Sequence, residues 1–287
     1  MAGPAPFPAF TELWHTDTYS TIDPKRPELS VNGKKVVITG GAAGIGRGIS
    51  QAFVDAGAAS IAILGRRADK LQETETALQA SSKTIKVTTY VVDVVDEAAV
   101  KEAADHIGAW DILVSNAGYM PEMVSVIDSD VSEWWKGFEI NVKGSFNVCH
   151  SFLPKRNPQA ALISISAGSL HIPTPYQCNG SGYNASKFAA LKFFEILAAE
   201  NPDLHVVSMH PGVVDTDMFR KGSMRPPSMD TVELGSHFAV WLCSEEAKFL
   251  RGRMVWCNWD VEEMKAKAGR ILSGPLLTST VEGWGSP

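Results

Sequence analysis

The sequence predicts one α/β domain built on a doubly wound parallel sheet of about seven strands with helices on both faces. Three observations carry that prediction. Short β-rich apolar runs alternate with longer helical stretches from Val36 to Cys257. The runs lack polar alternation, which marks strands buried on both faces of a parallel sheet. A glycine cluster, "TGGAAGIG", separates the first run from the first helix, and in this architecture sites form at the C-terminal ends of the strands.

The elements follow in order. "VVIT" (36–39) leads through the glycines to a helix from about Ile45 to Ala56. "SIAIL" (60–64) precedes the helix of "ADKLQETETALQA", and "KVTTYVV" (86–92) precedes "DEAAVKEAADHI". "DILVS" (111–115) leads to two helical stretches around 132–152. "AALISIS" (160–166) is followed by the helix of "YNASKFAALKFFEILAAE", then by "LHVVSM" (204–209) and finally by "RMVWC" (253–257). Residues 1–33, rich in Pro, aromatics and turn formers, have no clear period and read as an extended arm lying on the domain. The domain itself is expected over 34–260, with a tail over 261–287. No internal repeat, low-complexity linker or second domain stands out.

Composition narrows the function classes. The 287 residues suffice for one large core. With 45% hydrophobic and 20% charged residues the chain is ordinary for a soluble globular protein. A net charge of −6 offers no basic field for nucleic acid or anionic membrane, and no apolar run approaches the length of a membrane span. The N-terminus has neither the basic nor the apolar region of a secretory signal. The four cysteines (Cys149, Cys178, Cys243, Cys257) are scattered and show no metal-ligand spacing. A cytoplasmic protein with reduced thiols and no metal site is expected.

The glycine turn carries the first chemical signal. Gly40, Gly44, Ile45 and Gly46 lie between strand and helix, where a pyrophosphate must approach backbone and the helix N-terminus offers free N–H groups. The spacing is T-G-x-x-x-G-x-G rather than the plain G-x-G-x-x-G. In this form, with "VVDV" (91–94), "SNAG" (115–118), "NVKGSFN" beginning at Asn141, "YNASK" and "HPGVVDT" (210–216), the chain resembles the short-chain dehydrogenase/reductase family over about residues 33–257. The resemblance implies a Rossmann domain, a nicotinamide dinucleotide and a soluble homodimer or homotetramer joined through the helices carrying Asn141 and Tyr183. It assigns Asp93 and Val94 to the adenine end, Asn116, Ala117 and Gly118 to the N-A-G motif, and Pro211, Gly212, Val214 and Thr216 to the loop holding the nicotinamide amide. The arm "FTELWHTDTY…PELSVNGK" and the tail "GRMVWCNWDVEEM" further resemble fungal members associated with secondary metabolism.

The end of the second strand selects the dinucleotide. An acid there would bind the ribose 2′-OH and repel a 2′-phosphate. Here "AILGRR" puts Gly65 in that position, followed by Arg66 and Arg67. A guanidinium binds phosphate bidentately and stays charged, so Arg66 favours NADP(H). NAD(H) stays open, because no basic residue precedes Arg47 in the turn.

Tyr183 and Lys187 stand four apart and so share one helix face. A nearby ammonium, together with the positive nicotinamide of the oxidised complex, stabilises phenolate and brings a pKa near 10 toward the working range. The resemblance makes Tyr183 the acid/base, Lys187 its electrostatic partner and ribose ligand, and Asn141 the holder of a relay water. The family's strand before this helix usually ends in two serines, the second orienting the substrate carbonyl. "LISISAG" places Ser166 at the first position and Ala167 at the second. Ser169, whose separation from Tyr183 is nearer the family's usual spacing, ranks first as the replacement. The absence of any serine donor ranks second, and Ser166 third, since strand alternation turns it away from the side of Ala167. His171 and the Thr174–Ser181 loop are further candidates for donors or pocket wall.

A lid is expected near 215–235, where Met218, Phe219, Met224 and Met229 suggest an adaptable apolar cover. Trp134, Trp135 and Tyr119 are candidates for aromatic wall. The expected function is interconversion of a ketone and a secondary alcohol on a mid-sized apolar or aromatic small molecule, a secondary metabolite on the fungal resemblance alone. The alternative is a non-redox protein on the same scaffold, a cyclase, isomerase or cofactor-sensing binder, for which Ala167 is the only sequence support.

Overall fold

The computed structural model describes residues 2–6, 8–222 and 228–281. Its centre is a seven-stranded, all-parallel sheet in the order β5-β4-β3-β6-β7-β8-β9. The strands are β3 (Lys35–Thr39), β4 (Ser60–Gly65), β5 (Lys86–Val91), β6 (Trp110–Ser115), β7 (Arg156–Ile165), β8 (His205–His210) and β9 (Met254–Trp256). The expected doubly wound sheet and its strand number are present. β7 begins earlier than the apolar run, at the polar stretch Arg156–Gln159, because Trp110 pairs with Arg156 before the register shifts.

Both faces of each strand are apolar, and the structure shows where each face goes. Val36, Ile38, Ile61, Ile63, Ile163 and Val207 enter one core cluster with helices α1 (Gly44–Asp55), α2 (Ala68–Ser81) and α8 (Val232–Leu242). Val37, Ala62, Leu64, Leu113, Leu162 and Val206 enter the other with α3 (Glu97–Ile107), α5 (Gly144–Phe152) and α6 (Ser181–Glu200). Side chains alternate between the faces with period two, so a run with no polar alternation fills two cores at once. α4 (Val131–Phe138) joins α5 through one π-helical turn, Glu139–Lys143. The chain reverses its winding direction between β3 and β6, and there the glycine turn opens.

The arm is more ordered than its composition suggests. β1 (Ala2–Pro4) and β2 (Leu13–His15) form an antiparallel pair, and Trp14 bridges to Trp259. His15 Nε2 lies 2.9 Å from Asp260 Oδ2, and Glu263 accepts the N–H groups of Glu12 and Leu13 at 2.8 Å. Asp260 also caps α9 (Val261–Ala266), which α10 (Ala268–Leu272) follows. Leu29 and Ile22 are buried with α8 in the first core cluster. The segment expected as a lid is partly regular: Thr216 caps α7 (Asp217–Lys221), and α8 begins at Val232, before the expected lid boundary at 235. Met224 lies outside the described residues.

Candidate active site

The C-terminal ends of the strands border one cavity of about 580 Å³. Gly40 and Gly44 take left-handed backbone (φ 65° and 51°) to make the turn after β3. At Gly46 a Cβ would stand 2.3 Å from the carbonyl oxygen of Gly40, so only glycine fits. α1 starts there with no side-chain cap on its first N–H groups. Those donors, with the positive end of the helix dipole, suit an anion. Ile45 lies on the same wall.

Arg66 and Asp93 face each other across the rim. Their charged atoms are 3.6 Å apart, and both are substantially exposed. Arg67 pairs with Asp217 on α7 at 3.7 Å. Asp93 also accepts from the Val95 N–H at 3.1 Å, and Val94 is buried beside it on the cavity wall. Of the N-A-G residues, Asn116 works chiefly within the fold. Its Nδ2 donates to the carbonyls of Thr39 (2.9 Å) and Gly40 (3.1 Å), while Thr39 Oγ1 accepts from the N–H groups of Asn116 and Ala117, each at 3.0 Å. β3 and β6 are thereby held together where the cavity opens, and Ala117 and Gly118 continue its floor.

α6 places Tyr183 and Lys187 on the cavity wall. Lys187 is buried and donates from Nζ to the Ile165 carbonyl at 2.9 Å. Burial lowers its pKa to about 8 and raises that of Tyr183 to about 12. The ammonium alone therefore does not depress the phenol as the spacing suggests. Desolvation is the cause acting on each, and Lys187 is directed at a carbonyl rather than at Tyr183. Asn141 sits behind the cavity, on the π-helical turn. Its Oδ1 accepts from the Tyr119 N–H (2.8 Å), and its Nδ2 donates to the Tyr119 carbonyl and to Ser186 Oγ, both at 2.9 Å. Lys187 Nζ and Asn141 Oδ1 each lie 3.3 Å from the point where a Cβ on Gly118 would stand, so the two side chains converge there.

Ala167 is buried at the end of β7, and no hydroxyl takes its place. Ser166 directs its hydroxyl toward Met254 Sδ at 3.8 Å. Ser169 borders the cavity and donates to Asn184 Oδ1 at 2.6 Å. His171 leaves the cavity: it stacks on Trp256 and Trp259, and its Nδ1 accepts from Trp256 Nε1. The Thr174–Gln177 turn is not part of the wall, and Ser181 Oγ accepts from Trp134 Nε1. Trp134 and Trp135 stack with Phe138 outside the cavity, whereas Tyr119 borders it.

Pro211, Gly212, Val214 and Thr216 border the opposite wall, with Met218 and Phe219 beyond them; Met229 does not. The loop is clamped by residues that sequence reasoning missed. Asp230 accepts from the Val213 N–H at 2.6 Å and from Asn258 Nδ2 at 3.0 Å. Asn258 also donates to the His15 carbonyl, which ties the arm into the clamp. Met120, Met123, Lys221 and His210, also unforeseen, complete the wall. The "HPG" context was the only sequence signal for His210.

Comparison with known proteins agrees with this fold. Residues 34–225 match the family model described as short chain dehydrogenase. The chain belongs to the short-chain dehydrogenase/reductase family. Among its relatives in that family are the short chain dehydrogenase/reductase AacuD of Aspergillus aculeatus, 31% identical over 91% of this chain and 92% of that one. The short chain dehydrogenase pigC of Monascus ruber is 32% identical over 96% and 95%. The expected resemblance to fungal members is thus met. In fold it is similar to a short chain dehydrogenase from Shigella flexneri complexed with NADP (TM-score 0.73, 21% identity, 81% of this chain and 99% of that one). One from Burkholderia cenocepacia in complex with NADP is similar to the same degree (TM-score 0.70, 22% identity, 81% and 99%). Among the described residues of this dehydrogenase/reductase, no helix is long and apolar enough to cross a membrane, and no three or more His, Cys, Asp or Glu side chains cluster as a metal site would.

Proposed function

We propose that this short-chain dehydrogenase/reductase is an NADP(H)-dependent enzyme that interconverts a ketone and a secondary alcohol on a mid-sized apolar or aromatic molecule. The observation that carries the reading is the opening of Tyr183, Lys187 and the glycine turn onto one cavity, with Asn141 directly behind it. The residues present fit a dinucleotide. The turn leaves no room for a Cβ at Gly46, and α1 begins with uncapped N–H groups for the pyrophosphate. Arg66 would hold the 2′-phosphate, Asp93 and Val94 the adenine, Ala117 and Gly118 the middle, and the Pro211–Thr216 loop the nicotinamide amide. NADP-bound neighbours of the same fold support the choice of NADP(H).

When bound, the cofactor supplies or accepts the hydride. Tyr183 gives the proton to the forming alkoxide, or takes it from the alcohol. In the protein alone its pKa of about 12 keeps the phenol protonated, the form that reduction needs. Lys187 holds the ribose side and neutralises phenolate as the proton leaves. Asn141 orders the Tyr119 backbone next to the Lys187 ammonium, and the π-helical turn on which it stands is a local irregularity often found at functional sites. Ser169 borders the same cavity and would have to give up its bond to Asn184 Oδ1 to reach the substrate oxygen. Met120, Met123, Met218 and Phe219 make the adaptable apolar wall that suits such substrates, secondary metabolites included. Exposed Phe146 on α5 and Phe188 and Ile196 on α6 favour self-association as a dimer or tetramer through these helices.

The test is a titration of the purified protein with NADPH and NADH side by side, followed by turnover of Tyr183→Phe. Tighter NADPH binding and a variant that binds the cofactor without turnover are expected. Equal turnover in Tyr183→Phe would refute the assignment.

A further inference from the structure

We propose that His210 donates a hydrogen bond from Nε2 to the substrate oxygen beside Tyr183, the service a serine at position 167 would otherwise provide. The inference rests on the carbonyl–alcohol chemistry proposed above.

Sheet register places the residue. Ile165 pairs with Met209, and both point into the cluster under α1 and α8. Leu162 and Val206, also paired, point to the other face, under α6. His210 is the last residue of β8, pairs with Trp256 at the end of β9, and borders the cavity that Tyr183 and Lys187 also border. His210 ends β8 one position beyond the Ile165–Met209 pair, beside the end of β7 where Ala167 follows.

Packing then orients the ring. A Cβ on Gly168 would come within 2.9 Å of His210 Cδ2 and 2.7 Å of Trp256, so the imidazole fills the space that a side chain beside Ala167 would need. Trp256 meets the ring edge-on, with centroids 4.6 Å apart. Nδ1 is buried and, among the described residues, has no hydrogen-bond partner. His210 is nevertheless half-buried and borders the cavity shared with Tyr183. With Nδ1 sealed and Cδ2 against Gly168, the edge left to the cavity is Cε1–Nε2.

The tautomer follows from the same burial. Desolvation, with His171 nearby, holds the imidazole neutral by lowering its pKa to about 3, so it carries one N–H. A buried N–H without an acceptor is rarer and costlier than a lone pair without a donor. The proton therefore sits on Nε2, aimed at the cavity. Ser169 borders the same space, but its proton is already engaged by Asn184 Oδ1 at 2.6 Å. Among the described residues, His210 Nε2 meets no such competing acceptor.

The experiment uses full-length protein labelled with ¹⁵N-histidine, with His210 assigned by the loss of its signals in His210→Gln. In the NADP⁺-saturated protein at neutral pH, long-range ¹H–¹⁵N correlation is expected to show the neutral Nε2–H tautomer. Addition of 1-tetralone, an aromatic monoketone, is expected to move that N–H. An Nδ1–H tautomer, or a signal that 1-tetralone leaves in place, overturns the proposal. In reduction of 1-tetralone by NADPH, His210→Leu is expected to lower kcat/KM by ~10²-fold with NADPH affinity unchanged, the scale for loss of one donor to a developing oxyanion. His210→Gln keeps a side-chain N–H and is expected to recover most of the rate. Wild-type turnover in His210→Leu also overturns the proposal. Tyr183→Phe, run alongside, separates the two levels: its full activity refutes the oxidoreductase reading, whereas full activity of His210→Leu alone refutes only the histidine's role.

Discussion

Lys187 Nζ donates to the Ile165 carbonyl across 2.9 Å, which ties α6 to the end of β7 at the point where the cavity opens. The bond fixes the ammonium but does not offset its burial, and the pKa falls to about 8. The sign of the linkage is fixed by that direction. Between about pH 8 and 10 the unfolded chain binds more protons at this lysine than the folded one, so stability rises with pH by at most ~1.4 kcal/mol per unit. Below that window the full burial penalty applies. In Lys187→Met this rise is expected to disappear. Chemical denaturation of the two proteins at several pH values checks it; parallel stability curves for wild type and variant would contradict the burial argument.

Arg66 is exposed, and its ion pair to Asp93, at 3.6 Å, is loose. Arg66→Ser should leave stability within about 0.5 kcal/mol of wild type. A charged hydrogen bond to phosphate is worth ~1.5–3 kcal/mol, so NADPH affinity is expected to fall by about tenfold to a hundredfold, with little change for NADH. Fluorescence titration with both cofactors decides it. An equal loss for both would place the guanidinium elsewhere than on a 2′-phosphate.

At Gly46 even one methyl group meets the backbone, the Gly40 carbonyl oxygen at 2.3 Å and Asn116 Nδ2 at 2.5 Å. Gly46→Ala is expected to cost ~1–3 kcal/mol through overpacking and to abolish nucleotide binding, because the turn must open to admit the methyl. Thermal unfolding with and without NADPH measures both effects. A variant that NADPH still stabilises would show that the turn does not cradle the dinucleotide.

Asp230 holds the Pro211–Val213 loop through the Val213 N–H and Asn258 Nδ2. Asp230→Ala leaves the Val213 N–H without its acceptor, removes one of the two acceptors of Asn258 Nδ2, and should destabilise by ~1–3 kcal/mol. Asp230→Asn, which keeps a carbonyl oxygen for Val213, should lose less. Loop disorder should also raise the KM for NADPH in the alanine variant. Identical stability in the two variants would remove the clamp.

Ala167→Ser returns a hydroxyl to the position where the family usually has one. Because Ser169 and His210 already border the cavity that Tyr183 shares, the gain in kcat/KM on 1-tetralone should stay small, well below the ~10²-fold worth of a sole donor. A hundredfold gain would mean that neither residue serves.

The local chemistry of the chain was legible from its residues. Unbroken apolar runs determined strands buried on both faces, since no exposed strand can carry Val36 to Ile38 or Ala160 to Ile163 without meeting water. "TGGAAGIG" determined a turn in which backbone can approach a ligand, and the four-residue spacing of Tyr183 and Lys187 determined their shared helix face. These are short-range constraints, set within a turn or two of chain.

Tertiary structure alone decided what those residues meet. The Asp230–Asn258–His15 clamp joins the arm, the segment before α8 and the residues after β9, and no local pattern announces such distant partners. Asn116 reads in sequence as a cofactor residue, yet its amide is spent on Thr39 and Gly40 because β6 lies beside β3. The fate of the donor at position 167 was likewise undecidable from spacing. It depends on which neighbouring strand end lies against Gly168, and sheet order puts His210 there. Burial is the deepest of these effects: it pushes Tyr183 and Lys187 away from their ordinary pKa values in opposite directions, and desolvation is a property of the packed whole.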